Sequence, residues 1–208
     1  MDNCFGNSRS GYGGATDPFE FFSAEQIAAV SRCPVQNVNA SWPLIHSAME
    51  EVNQASKASQ AGMIGTIAIE TGPYTNSIFT PREELYNDPP GKYTYFENMY
   101  GIGHHSSAAA MGNTSVGDGA KYYGRGFIQI TWKNNYLAYG NSIGVDLVSF
   151  PELALDINNA AKIAALYWKG RDIQSMCNAG NWVAVRAAVQ GGSAGLDHLY
   201  QVVHDLGF

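Results

Sequence analysis

Apolar residues recur with helical spacing in two blocks, one ending near residue 70 and one starting near residue 133, and the chain between them lacks that rhythm. Over 19–31 the spacing predicts a helix, with Ser23 as N-cap and Gln26 three residues on, an imperfect capping box. Over 40–58 Trp42, Leu44, Ile45, Met49 and Val52 form one apolar stripe. The segment 61–70 is a third helix, in which Gly62, Gly65 and Ala68 permit close approach of neighbours, and Gly72-Pro73 stops it. Helical patterning returns over 133–139, 159–168, 182–189 behind an Asn181 cap, and 196–206, with breaks at Pro151 and at Gly191-Gly192.

From 72 to 123 glycine, proline, asparagine and aromatic residues dominate, with one short helix expected over 81–86. Seven aromatic residues between Tyr74 and Tyr100 argue for an ordered segment. A short strand or hairpin is expected over 127–132; on a strand, Gln129 and Thr131 would face the same way. The sum is a mainly α domain over 19–208 with minor β and a loop-rich middle, behind a flexible Gly/Ser-rich segment over 1–18.

Composition narrows the partners. With 45% hydrophobic residues in 208, the chain can build one core or two small lobes sharing a cleft. Only 14% of residues are charged, a surface suited to a sugar polymer rather than a polyanion. The net charge of -6 comes from the first 104 residues, and no basic run exists such as nucleic acid would need. No apolar run approaches membrane-spanning length, so no membrane insertion is expected. The start, MDNCFGNSRSGYGG, lacks the basic and apolar regions of a signal peptide. Cys4, Cys33 and Cys177 show no metal-ligand spacing and His104-His105 has no partner motif, so neither metal nor cofactor is expected. At most one disulfide can form, and reduced thiols fit as well.

Two carboxylates stand out. Glu70 ends an apolar helix, where the helix dipole and partial burial both favour its protonated form, as a general acid requires. A solvent-facing Glu at a frayed helix end is the plainer alternative. Glu97, in YTYFENMYG, lies 27 residues further on among polar loop residues, where a carboxylate stays ionised. In YYGRGFIQITWKNNY, Gly124 and Gly126 flank Arg125, whose guanidinium can gather loop carbonyls, a structural role. Gln129 and Thr131 offer an amide and a hydroxyl for sugar hydroxyls or a water, and Tyr123 and Trp132 offer flat faces for sugar rings.

IETG followed by FENMYG, GNTSVGDG and YYGRGFIQITWKNNY resembles glycoside hydrolase family 19, the chitinase and lysozyme-like enzymes, especially the phage endolysin branch. FPELALDINNAAKIAALYWKGR and GNWVAVRAAVQGGSAGLD extend the similarity over roughly 60–208. The chain departs from the family pattern at Ile69, Pro73, Gln190 and His198-Leu199, and inserts 101–111 before the GNT loop. The resemblance implies a lysozyme-like, two-lobed fold around a central cleft, with Glu70 as general acid, Glu97 as general base and Thr131 helping to hold the attacking water. Gln129, Tyr123, Trp132, Asn135 and Gln190 would bind substrate; were Glu97 not the base, Glu84 and Glu83 are the next acids. It further implies endo-acting, inverting hydrolysis of β-1,4 bonds in bacterial wall peptidoglycan by a monomer, with no cofactor. The alternatives are a chitinase acting on β-1,4-linked N-acetylglucosamine and a non-catalytic glycan-binding module. The expected setting is a phage product made in the host cytoplasm and acting on the wall after release, or carried on a virion. A further wall-binding module in a longer parent chain is compatible with the Gly/Ser-rich start.

Overall fold

The computed structural model describes residues 16–72 and 78–208. The remainder of the N-terminal segment, Cys4, and Pro73 with the four residues after it lie outside the described residues. Residues 16–18, expected within the flexible segment, are tied to the fold: Trp42 Nε1 donates to the Pro18 carbonyl and Thr16 Oγ1 to the Glu50 carboxylate.

Ten helices carry the described chain. Helix α1, Ala24–Ser31, starts on a full capping box between Ser23 and Gln26. Helix α2, Val35–Glu51, begins and ends earlier than its apolar stripe suggested, starting after Pro34 and running through Pro43. Helix α3, Lys57–Thr71, takes Ser56 as N-cap and is apolar on every side, with each residue from Ser59 to Ala68 buried. A helix buried all round needs neighbours all round. It packs against α8 (Ile173–Asn178), α9 (Trp182–Gln190) and α10 (Leu196–Asp205), while α2 packs against α7 (Ile157–Gly170). Trp42 and Trp168 are fully buried in this larger lobe, where Trp168 Nε1 donates to Ser59 Oγ at 2.9 Å.

The middle of the chain is more regular than its composition suggested. Helix α4, Lys92–Tyr100, packs on the short α5, Asp118–Lys121, and the two form the smaller lobe. The helix expected over 81–86 is instead a strand, β1, Arg82–Glu83, paired antiparallel with β2, Arg125–Gly126. The strand expected over 127–132 is a tight reversal. Arg125 and Ile130 exchange both backbone hydrogen bonds, at 3.2 and 3.0 Å, and Gln129 turns the corner with φ 53°. Gln129 and Thr131 therefore do not share a strand face. Helix α6, Lys133–Ile143, then leads to a 3-10 turn at Pro151–Leu155.

The close approach expected at Gly62 is present. A Cβ there would meet Cys177 Sγ at 2.6 Å and Trp168 at 3.3 Å. Gly62→Ala should cost about 1–3 kcal/mol of stability by overpacking. A thermal melt checks this, and an unchanged Tm would mean that the α3–α8 contact gives way freely.

Candidate active site

Glu70 lies in the last turn of α3, where the helix emerges from the core, and its side chain is 17% exposed. Its Oε1 accepts Arg186 Nη1 of α9 at 2.6 Å, and Arg186, buried beneath it, also donates Nε to the Ala194 carbonyl at 2.5 Å. A guanidinium favours the carboxylate charge, whereas the helix C-terminus and burial disfavour it. Arg186 is thus a charge partner that the expectation from sequence, built on dipole and burial alone, did not contain.

Two adjoining cavities share Glu70 and Gln129 and make one cleft. The first, about 240 Å³, is also lined by Arg82, Glu84 and Leu85. The second, about 380 Å³, brings in Tyr100, Thr131, Trp132, Asn135, Arg171 and Gln190. The structure thus gathers Glu70, Gln129, Thr131, Trp132, Asn135 and Gln190 from three separate stretches of chain.

Glu97 is not among them. It sits on the buried side of α4, not in a polar loop, and lines neither cavity containing Glu70. Its Oε1 accepts the Gly117 N–H at 3.0 Å and its Oε2 the Ala120 N–H at 3.1 Å. Both oxygens are thereby spent on the 114–120 loop, satisfying amides that burial would otherwise orphan. The carboxylate in the cleft with Glu70 is Glu84.

Strand alternation explains why Glu84 is there. Adjacent residues of a strand point to opposite faces, so β1 and its continuation send Glu83 one way and Glu84 the other. Glu83 turns into a charged cluster, accepting Lys92 Nζ at 2.6 Å and the Tyr123 hydroxyl at 2.5 Å. Burial acts to raise its proton affinity, but those two bonds and the Lys92 and Arg125 charges hold it below the usual carboxylate range. Glu84 turns to the cleft, where its Oε1 accepts the Tyr100 hydroxyl at 2.6 Å and its Oε2 the Gly124 N–H at 3.0 Å. Burial, and then the bond to Glu84, push the Tyr100 phenol well above its ordinary value, so it stays a donor. Two donors thus converge on the Glu84 carboxyl, one on each oxygen.

The remaining residues divide between core and cleft. Tyr123, expected to bind substrate, is buried: its ring stacks on Phe96 at 4.0 Å and carries the Arg125 guanidinium at 3.8 Å on centroid distances. Arg125 Nη1 donates to the Lys121 carbonyl and the Tyr136 hydroxyl, at 2.9 and 2.8 Å. Gln129 spends its Nε2 on the carbonyls of Arg82 and Gly126, at 3.0 and 2.8 Å, which pins the reversal to β1. Its Oε1 lies near Gly124, where an added Cβ would sit 2.9 Å from Glu84 Oε2 and 3.1 Å from Gln129 Oε1. Gly124 thus keeps the space beside both oxygens open, and Gly126, with φ 90°, makes the turn. Thr131 Oγ1 donates to the Gln129 carbonyl at 3.1 Å, and Asn135 Nδ2 to the Thr131 carbonyl at 2.6 Å. Among the described residues no His, Cys, Asp and Glu cluster could hold a metal, and Cys33 and Cys177 are free thiols.

A helical fold of lysozyme type, with two glutamates facing one cleft, defines the class. The sequence profile of glycoside hydrolase family 19, chitinase class I, matches residues 55–190, and the chain belongs to that family. It is 39% identical over 70 residues to acidic endochitinase SP2 of Beta vulgaris, covering 33% of this chain and 24% of that one. It is 35% identical over 86 residues to a glycosyl hydrolase family 19 domain-containing protein of Haemophilus influenzae, 41% of each chain. The matches thus span about a quarter to two fifths of these curated relatives. Among solved structures, a chitinase C variant superposes with TM-score 0.60 at 20% identity, over 89% of this chain and 92% of that one. Chitinase C from Streptomyces griseus gives 0.57 at 20% identity, over 93% and 79%. At that identity the likeness speaks for the fold.

Glu97→Gln should act on stability. One accepting oxygen becomes an NH₂ facing a backbone N–H, a loss of about 1–3 kcal/mol. Urea unfolding should show the drop, with activity per folded molecule largely kept; full stability with abolished turnover would return Glu97 to the chemistry.

Proposed function

We propose that the chain hydrolyses β-1,4 glycosidic bonds of an N-acetylhexosamine polymer, bacterial wall peptidoglycan, with inversion. The observation that carries this reading is the placing of Glu70, Glu84 and Gln129 on one cavity. Inversion needs a proton donor and a carboxylate base on opposite sides of the bond, about 6.5–9.5 Å apart. Glu70 protonates the leaving oxygen as the bond to the anomeric carbon breaks. Glu84 takes a proton from the water that attacks that carbon on the far face. Gln129 Oε1 and the Thr131 hydroxyl orient this water and the neighbouring sugar, while Trp132, Asn135 and Gln190 line the adjoining subsites. The division of labour follows from the placing of the two groups. Glu84 accepts from two donors, whereas Glu70 stands on a rigid helix end at the other side of the same cavity. A wall-lysing role for a phage product released by another protein is consistent with this reading.

A second reading, an endochitinase, is favoured by relatives such as acidic endochitinase SP2. Digestion of purified wall and of chitin side by side separates the two. Products that have gained water at new reducing ends support hydrolysis, and anhydro ends overturn it.

Glu70→Gln and Glu84→Gln should each lower kcat by about 10²–10⁴ while the protein stays folded, since general acid–base catalysis contributes that much. Azide should partly restore Glu84→Ala by replacing the activated water, giving a glycosyl azide of inverted configuration. Undiminished turnover in either Gln variant removes that residue from the mechanism.

A further inference from the structure

The cleft holds two cations that the proposed chemistry does not use, Arg82 and Arg171. Arg171, the C-cap of α7, is half-buried and lines the same cavity as Glu70, Thr131, Trp132 and Gln190. Its guanidinium lies 3.6 Å from the Tyr167 ring centroid, and its Nη1 donates to the Tyr139 hydroxyl at 3.2 Å. Among the described residues no carboxylate lies within 4.0 Å of it.

The other cations around the cleft are committed. Arg186 is paired with Glu70, and Lys92 with Glu83. Arg82 donates to the carbonyls of Thr71 and Glu83, and Lys133 pairs with Asp118. Arg171 has five donors and, among the described residues, one acceptor, with its guanidinium carbon 3.6 Å from the centre of the Tyr167 ring. That geometry suits a bidentate carboxylate, with little side-chain freedom left to lose on binding. A neutral N-acetylglucosamine polymer offers such a fork only hydroxyls and amide oxygens. A wall glycan offers carboxylates on the lactyl ether of its muramic acid units or on their peptide stems.

We propose that Arg171 is an anion-recognising subsite of the cleft, which selects a glycan bearing a carboxylate on a sugar substituent over a neutral one. The proposal rests on the reading of the cleft as a glycan site and names the substrate class it favours.

The test measures binding and turnover separately, on the full chain. The probes are peptide-free oligomers alternating N-acetylglucosamine and N-acetylmuramic acid, the same oligomers with the lactyl carboxyl reduced to an alcohol, and chitotetraose. Calorimetry on the parent should show the carboxylate oligomer binding about ten- to a hundredfold more tightly than its reduced form, with the advantage shrinking in high salt. Arg171→Gln should remove that advantage and leave affinity for the reduced oligomer and for chitotetraose within about twofold. Arg171→Lys should keep only part of it, because a point charge replaces the fork. Equal affinity of the parent for carboxylate and reduced oligomers overturns the proposal without any variant. So does an equal loss on all three probes in a folded Arg171→Gln. Selective binding without cleavage of any probe would leave the subsite standing and overturn the hydrolytic reading.

Discussion

Everything in the cleft depends on α3 being buried on all sides. A helix wrapped by α8, α9 and α10 cannot shift without disturbing the whole larger lobe, and Glu70 rides on its last turn. The small residues that make this possible have no room to grow: a Cβ on Gly65 would meet Leu199 at 2.6 Å. Rigid support is what a proton donor needs, since productive geometry tolerates errors of well under an ångström. The pair with Arg186, 116 residues away in sequence, adds a second tether from α9.

The opposite wall is built from the least regular part of the chain, yet it is ordered by a small set of directed bonds. Glu84 N–H donates to the Gly124 carbonyl at 2.8 Å and Gly124 N–H to the Glu84 carboxylate at 3.0 Å, so β1 and the Gly-Arg-Gly turn hold each other. Gln129 ties the same turn to β1 from below. Glu97 performs the matching task for the 114–120 loop, beneath which Asn113 donates to the Tyr100 carbonyl at 2.9 Å. Tyr100 connects the two systems through its hydroxyl on Glu84. The smaller lobe thus spends one buried carboxylate on architecture and presents another to the cleft.

Charge is distributed with similar economy. Arg186, Arg125, Lys92 and Lys133 are each placed near a carboxylate of the chain, whereas Arg171 rests on an aromatic face at the cleft. In a chain with so few charged residues, one uncommitted guanidinium changes what the cleft can recognise.

The sequence by itself determined the helices of the larger lobe apart from the short α8, their caps at Ser23 and Asn181, the close approach at Gly62 and the family of the chain, because these rest on periodicity and on short motifs. It also marked Glu70, Gln129, Thr131, Trp132, Asn135 and Gln190, which the fold gathers on one cleft. What it left open were choices made by non-local contacts. The period of α4 is masked by aromatic residues that pack outward as well as inward: Phe96 is buried, whereas Tyr93 is exposed. Two adjacent glutamates, Glu83 and Glu84, look alike in sequence, and only the pairing of β1 with β2 sends one to Lys92 and the other to the cleft. Glu97 fitted the motif, but a carboxylate's role depends on which donors reach it, and those come from residues 20 and 23 further along. Arg171 and Arg186 lay inside family-like segments without being marked for the site, since an arginine's meaning lies in whether the fold gives it an acid.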